Sequence, residues 1–352
     1  MSRTRVIVVT IGVMMSLFLA AMESTVVATA MPTIASQLGG LSSYSWVFAA
    51  YMLTSTTVVP VFGKLADVYG IRTMYLVAIA IFLIGSVLCG RAATMTELIA
   101  FRAVQGIGAG GVMPLAFTTV GAIFSLQERA RMQGWFSGVW GVSSVFGPLL
   151  GGFLVDQVSW RWVFYVNIVP GLLAAALVWS ALQEPEHERG ARPAVDYAGV
   201  VLLSLAIVLL LLGLFELGTT MSWLLLGGAV LCGALLAWVE QRAADPIVPL
   251  RLFGTRSFAV ACGHGLLAGF AMFGSVSFVP LFAQAVFGTS ATGAGATLTP
   301  LMLGWVLASI VGSRLLLRFA YRSIALTGMV MLTLGSGLML LPFMSALGVP
   351  GL

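Results

Sequence analysis

Charge is what this sequence has least of. Only 8% of its 352 residues are Asp, Glu, Lys or Arg, against 60% apolar. A water-soluble chain of this length would make two domains and would need a far more charged surface. Within these residues there is no polar stretch long enough for the soluble output domain of a membrane sensor. The cysteines number 3 (Cys89, Cys232 and Cys262), with no paired spacing and no CxxC. Each lies in an apolar run, so buried, inert thiols are expected. No nucleophile–base pair, metal-ligand cluster or phosphate loop can be picked out, which argues against an enzyme and against a metal. Alternating ten-residue segments are also missing, which excludes an outer-membrane barrel. The net charge of +5 is no sign of nucleic-acid binding. It comes from arginines in short connections, where they face anionic headgroups.

What the chain does have is a succession of long apolar runs. About eleven follow one another, each near the ~20 residues that cross a bilayer as a helix. They cover residues 6–30, 45–63, 73–90, 97–122, 133–155, 162–183, 197–217, 221–239, 257–282, 294–317 and 323–344. With no water in the bilayer core, backbone polar groups must pair within the segment, so an all-α polytopic membrane protein is expected. Of the 17 basic residues, Arg3, Arg5, Lys64, Arg72, Arg129, Arg131, Arg189, Arg192, Arg242, Arg251, Arg256, Arg314, Arg318 and Arg322 fall on one side. Only Arg91 and Arg161 fall on the other, and Arg102 sits within a span. The positive-inside rule then puts the N-terminus in the cytoplasm and the chain in the cytoplasmic (inner) membrane. Trp46, Trp160, Trp162 and Trp223 lie near span ends, as an aromatic belt would. Glu97, Asp156 and Glu216 lie there too, within reach of water.

The connections divide the chain. The longest polar one, residues 184–196 (EPEHERGARPAVD), follows six spans, so residues 1–183 form a first half. Residues 197–240 hold two spans of almost pure Leu, Val, Ala and Gly, an insert expected to face lipid. Residues 241–352 then hold three spans, a partial second half. A degenerate echo supports the duplication: residues 63–72 (GKLADVYGIR) against residues 313–322 (SRLLLRFAYR). Duplicated helical halves are the mark of secondary transporters.

Three local patterns carry chemistry. Residues 63–72 join spans two and three on the cytoplasmic side. There Gly63 and Gly70 suit tight turns, Arg72 adds a base, and Asp67 can cap the third span or pair with a base across the bundle, a latch that breaks and re-forms. The plainer reading of this stretch is a solvated turn. Span four carries Arg102, Gln105, Gly106 and Gly110. An arginine inside a span is costly and functional by default, and glycines one turn apart make a close-packing face. Span five carries Gly147, Pro148, Gly151 and Gly152 after Gly134, Gly138 and Gly141, with Pro148 expected to kink the helix. For the glycines themselves, helix packing is the sufficient explanation.

In this order and spacing the three patterns resemble the loop-2/3, span-four and span-five motifs of the major facilitator superfamily. The GPxxGG motif of span five is typical of its antiporters. Residues 19–32 (LAAMESTVVATAMP) resemble the first-span motif of the fourteen-helix drug:proton antiporter branch, which usually has aspartate where this chain has Glu23. Residues 160–171 (WRWVFYVNIVPG) resemble that branch's entry to span six. The resemblance implies a helical bundle that exports lipophilic small molecules against protons, driven by the proton gradient without a bound cofactor. It also implies three further C-terminal helices, and without them residues 1–352 are expected not to transport.

Glu23 and Arg102 stand out as a pair. Span one runs outward and span four inward. At 1.5 Å per residue both side chains lie roughly 8–10 Å below the outer boundary. Two rare, opposite charges at one depth should face the bundle interior and pair. Glu23 is then the expected proton-coupling acid, with Gln105 and His264 of span nine as further candidates for a substrate or proton path. A static ion pair and a carbonyl-bonded histidine are the plainer alternatives. Taken together, the sequence points to a proton-coupled exporter of lipophilic, cationic drugs. The alternatives are an exporter of one metabolite, such as an antibiotic, lipid or siderophore-like compound, and a truncated, non-transporting fragment.

Overall fold

The computed structural model describes residues 2–39, 43–183, 196–243, 246–247, 250–287, 298–316 and 318–339. These residues are helical almost throughout. In chain order the helices are α1 (Arg3–Leu38), α2 (Tyr44–Tyr69), α3 (Ile71–Arg91), α4 (Met95–Ile123), α5 (Leu126–Gln157), α6 (Trp162–Tyr165) and α7 (Ile168–Ala181). They are followed by α8 (Tyr197–Phe215), α9 (Thr220–Glu240), α10 (Arg256–Phe287), α11 (Leu298–Leu315) and α12 (Tyr321–Met339). Wherever its residues are described, each expected span falls on a helix, with α6 and α7 sharing the sixth. Among the described residues, 7 helices are long and apolar enough to cross a membrane: α1 to α4, the α6–α7 rod, α8 and α9.

Helix ends are set by local chemistry. The Thr94 hydroxyl caps α4, accepting from the Glu97 amide at 3.2 Å, while Glu97 Oε2 accepts from the Ala93 amide at 2.8 Å. This reciprocal capping fixes where α4 begins and hence how deep Arg102 sits, two turns further on. Asp196 caps α8 in the same way, through the Gly199 amide at 2.8 Å. Between α2 and α3 the chain turns at Gly70, whose φ of +90° lies in the left-handed region that a side chain disfavours.

Three expectations need correcting. Residues 63–69 are not a loop: α2 runs through them to Tyr69, and Gly63 is a helical residue with nothing near its missing side chain. Nothing from Lys64 to Tyr69 breaks a helix, and one glycine costs only about 1 kcal/mol. Trp160 is not part of an interfacial belt but is 1% exposed, its indole N–H donating to Gln37 Oε1 at 2.9 Å. Of the cysteines only Cys89 is buried, while Cys232 is half-buried and Cys262 exposed.

The described residues divide into two units, residues 1–125 with 146–251, and residues 126–145 with 252–352. In the first, α1 lies against α4 and the α6–α7 rod. Met22, Val26, Val27, Met31 and Ile34 of α1 meet Leu98 of α4, and Trp160, Val163 and Phe164 at the start of the rod. The α8–α9 pair also belongs to this unit, where Phe215 packs at a tilt against Trp46, 4.9 Å between ring centroids. In the second unit the first part of α5 lies along α11. Ser137 and Ser309 share a hydrogen bond of 2.5 Å, and Trp140 lies 6.1 Å from Trp305.

Candidate functional site

One cluster of polar side chains is sealed inside the first unit. Glu23 of α1 and Arg102 of α4 are each 1% exposed, and Gln105, Ser86 and Asn167 are fully buried. Arg102 Nη1 donates to Glu23 Oε1 at 2.5 Å and to Gln105 Oε1 at 2.7 Å. Asn167 Nδ2 donates to the other carboxylate oxygen, Glu23 Oε2, at 2.6 Å. Gln105 Nε2 donates to Ser86 Oγ at 2.8 Å, and Asn167 Nδ2 reaches the same oxygen at 3.5 Å. The guanidinium is further held by the Val47 carbonyl, 3.4 Å from Nε, and by the face of Tyr51, 4.1 Å from Cζ. Cys89 Sγ donates to Gln105 Oε1 at 3.7 Å.

Sequence geometry builds this cluster. Arg102 and Gln105 are three residues apart on α4 and so share a face. Asn167 sits where the sixth span is tightened, its amide donating to the Phe164 carbonyl at 3.3 Å between α6 and α7. Close approach does the rest. A side chain at Gly85 would strike Gln105, and one at Gly106 would strike Thr54 and the Tyr51 carbonyl. Gly108 has the Phe82 backbone, and Gly110 the Ser55 carbonyl, where its Cβ would be. These glycines let α2 and α3 press onto α4 closely enough for the polar groups to meet.

The span-five glycines act on α1, at the turns next to Glu23. Gly147 lies against Thr25, with the Thr25 Cβ 2.9 Å from where its own Cβ would be. Gly151 lies against Thr29 and Val26, whereas Gly152 has nothing within 4 Å. Pro148 lies within the continuous α5, and its side chain is outside the described ones. On the cytoplasmic side Asp67 is exposed on the last turn of α2, with Gly70 buried and Arg72 half-buried at the start of α3. His264 belongs to the second unit, on α10, where it is half-buried.

The structure thus brings Glu23, Arg102 and Gln105 into one hydrogen-bonded group. Sequence reasoning misses Asn167, Ser86 and Tyr51. A signal for the first was available: Asn167 is the only asparagine in the chain, and it lies in an apolar span. Ser86 and Tyr51 give no such signal, because serines and tyrosines recur along the spans.

Residues 13–351 match the family model described as Major Facilitator Superfamily. The chain belongs to the Major Facilitator Superfamily. Superfamily relatives from Bacillus subtilis (strain 168) include the multidrug transporter protein MdtP, 39% identical over 330 residues, covering 92% of this chain and 61% of that protein. Multidrug resistance protein 3 of the same organism is 38% identical over 334 residues, covering 93% of this chain and 65% of its own length. The chain therefore spans less than two thirds of either relative. Among solved structures, the human organic anion transporter MFSD10 matches with a TM-score of 0.63 at 15% identity, covering 89% of this chain and 73% of that one. The proton:xylose symporter XylE matches with a TM-score of 0.59 at 14% identity, covering 91% and 70%. At these identities the likeness speaks to fold, and both the fold and the superfamily are those of membrane transporters rather than enzymes.

Proposed function

We propose that this chain supplies the proton-coupling half of an antiporter that exports lipophilic, cationic drugs across the cytoplasmic membrane, with its N-terminus in the cytoplasm. The observation that carries the reading is the Glu23 carboxylate, sealed from solvent, with Arg102 donating to Oε1 and Asn167 to Oε2. A carboxylate at bilayer depth is expensive and is kept where it moves charge. The names of the relatives support drugs as cargo, and the sorting of arginines supports the orientation.

In this reading a proton arriving from outside neutralises Glu23 and loosens its hold on Arg102, and release to the cytoplasm restores the pair. Arg102 keeps its charge throughout. It does not drift when Glu23 is neutral, because Gln105 Oε1, the Val47 carbonyl and the Tyr51 face still hold it. A lipophilic cation and a proton then compete for one carboxylate, which couples their movements without a shaped pocket. Asp67, Gly70 and Arg72 act as the cytoplasmic latch of the same cycle, with Gly63 on the helix leading to it. The glycines at 147 and 151 keep α5 against the turns of α1 that flank Glu23.

In the chain extended by three C-terminal helices from a close relative, Glu23→Gln should insert normally and lose export of cationic dyes driven by a pH gradient, while Glu23→Asp keeps part of it. Dye efflux from everted membrane vesicles measures both. Export by the glutamine variant equal to that of the parent would remove Glu23 from the coupling role.

A further inference from the structure

The cluster contains one buried atom whose bonding is incomplete. Asn167 is fully buried, its Nδ2 is engaged by Glu23 and Ser86, and among the described residues its Oδ1 has no hydrogen-bond partner. Such an orphan normally costs stability, so its presence beside a carboxylate calls for an account.

The account follows from which atoms can take a proton. Glu23 Oε1 faces Arg102, whose guanidinium has only donors, so an added proton there would point at an N–H. Glu23 Oε2 faces Asn167, and an amide is both donor and acceptor. Around Glu23 the other titratable groups are Tyr51 on α2, whose ring lies under the guanidinium, and Cys89 on α3, whose thiol is turned to Gln105. Among the described residues, neither hydrogen-bonds to Oε2.

We propose that Asn167 is a positioning residue that reads the protonation state of Glu23 by turning its side-chain amide over. This rests on the reading of Glu23 as the coupling acid. With Glu23 ionised, Nδ2 donates to Oε2 as observed. When Oε2 takes a proton, the amide rotates by half a turn about its last bond, and Oδ1 comes to where Nδ2 was. It then accepts the new O–H and faces the Ser86 hydroxyl. The proton is bound by Glu23 throughout, and only the direction of its hydrogen bond to Asn167 changes. Because Oδ1 starts without a partner, nothing on that side of the amide has to break. Turning exchanges one unmet group for another, so the two settings stay close in energy. A leucine at this position could serve neither state.

The sequence makes the test specific, since labelling asparagine labels Asn167 alone. The chain, reconstituted in lipid with 13C in the asparagine side-chain carbonyl, is followed by acid-minus-neutral difference infrared spectroscopy. Glu23→Gln identifies the protonated-carboxyl band that belongs to Glu23. Alongside that band we expect a label-sensitive amide C=O pair, moving to lower wavenumber as Oδ1 gains a donor. The pair should be lost in Asn167→Leu and in Glu23→Gln. The labelled parent needs no substitution at 167, so poor folding of Asn167→Leu does not blunt the test. A Glu23 carboxyl band without the amide pair, or a pair that survives Glu23→Gln, overturns the role of Asn167 and leaves that of Glu23 intact. If no carboxyl band is removed by Glu23→Gln, both readings fall.

Discussion

Adding one methyl group at Gly85 should damage this protein more than the same methyl at Gly152. An alanine Cβ at Gly85 would lie 2.5 Å from the Gln105 amide nitrogen and 2.6 Å from its Cβ. Ordinary contact begins near 3.4 Å, so α3 and α4 must part by roughly 1 Å, since helix backbone has no flexible end to give way. Overpacking of this kind costs about 1–3 kcal/mol. Alanine returns about 0.5–1 kcal/mol in helix propensity at either site. Gly152 has nothing within 4 Å, so there the propensity gain stands alone. Gly85→Ala should therefore be less stable than Gly152→Ala by about 1–3 kcal/mol, the clash being the only difference. Unfolding of the purified chain in mixed micelles, titrated with a denaturing detergent, measures both variants on one scale. Equal stabilities would mean that α3 and α4 do not approach as described, and that Gly85 does not set how closely Gln105 comes to α3.

Two further outcomes follow from the same geometry and from the charge pattern. Ser86→Ala removes the acceptor for Gln105 Nε2 inside a fully buried cluster. It should cost about 1–3 kcal/mol in the same unfolding assay, with no loss if a second acceptor replaces it. A cysteine at position 190, in a background with the 3 native cysteines replaced, should react with impermeant thiol reagents only from the cytoplasmic side. Reaction from outside alone would reverse the topology.

The fold was largely legible because a bilayer leaves few choices. Apolar runs of spanning length such as those around Val26 and Ile79 are helices whatever their neighbours do. Helix ends were less so. Residues 64–69 look like a charged loop by composition, yet contain no breaker until Gly70, and hydropathy cannot see that a helix continues beyond the membrane. For the site, depth arithmetic brought Glu23 and Arg102 together, because both charges are rare and their spans run in opposite directions. Asn167 was harder. Its place depends on a locally tightened turn between Tyr165 and Ile168, which shifts a side chain without leaving a periodic trace. Trp160 shows the converse: at a span end an indole reads as interfacial, and only the Gln37 partner and the packing around it reveal a core residue.

The way Arg102 is held has an electrostatic consequence. Its partners other than Glu23 are a glutamine oxygen, a backbone carbonyl and a ring face, all uncharged. With Glu23 ionised the pair sums to zero, and with Glu23 protonated it carries one uncompensated positive charge. Two like charges 10 Å apart repel by about 1.7 kcal/mol at an effective dielectric constant of 20. For a cation nearby, the arrival of a proton therefore turns a neutral wall into a repulsive one. If the chain exports as proposed, the guanidinium supplies the push as a fixed charge that is unmasked, with no need for the arginine itself to travel.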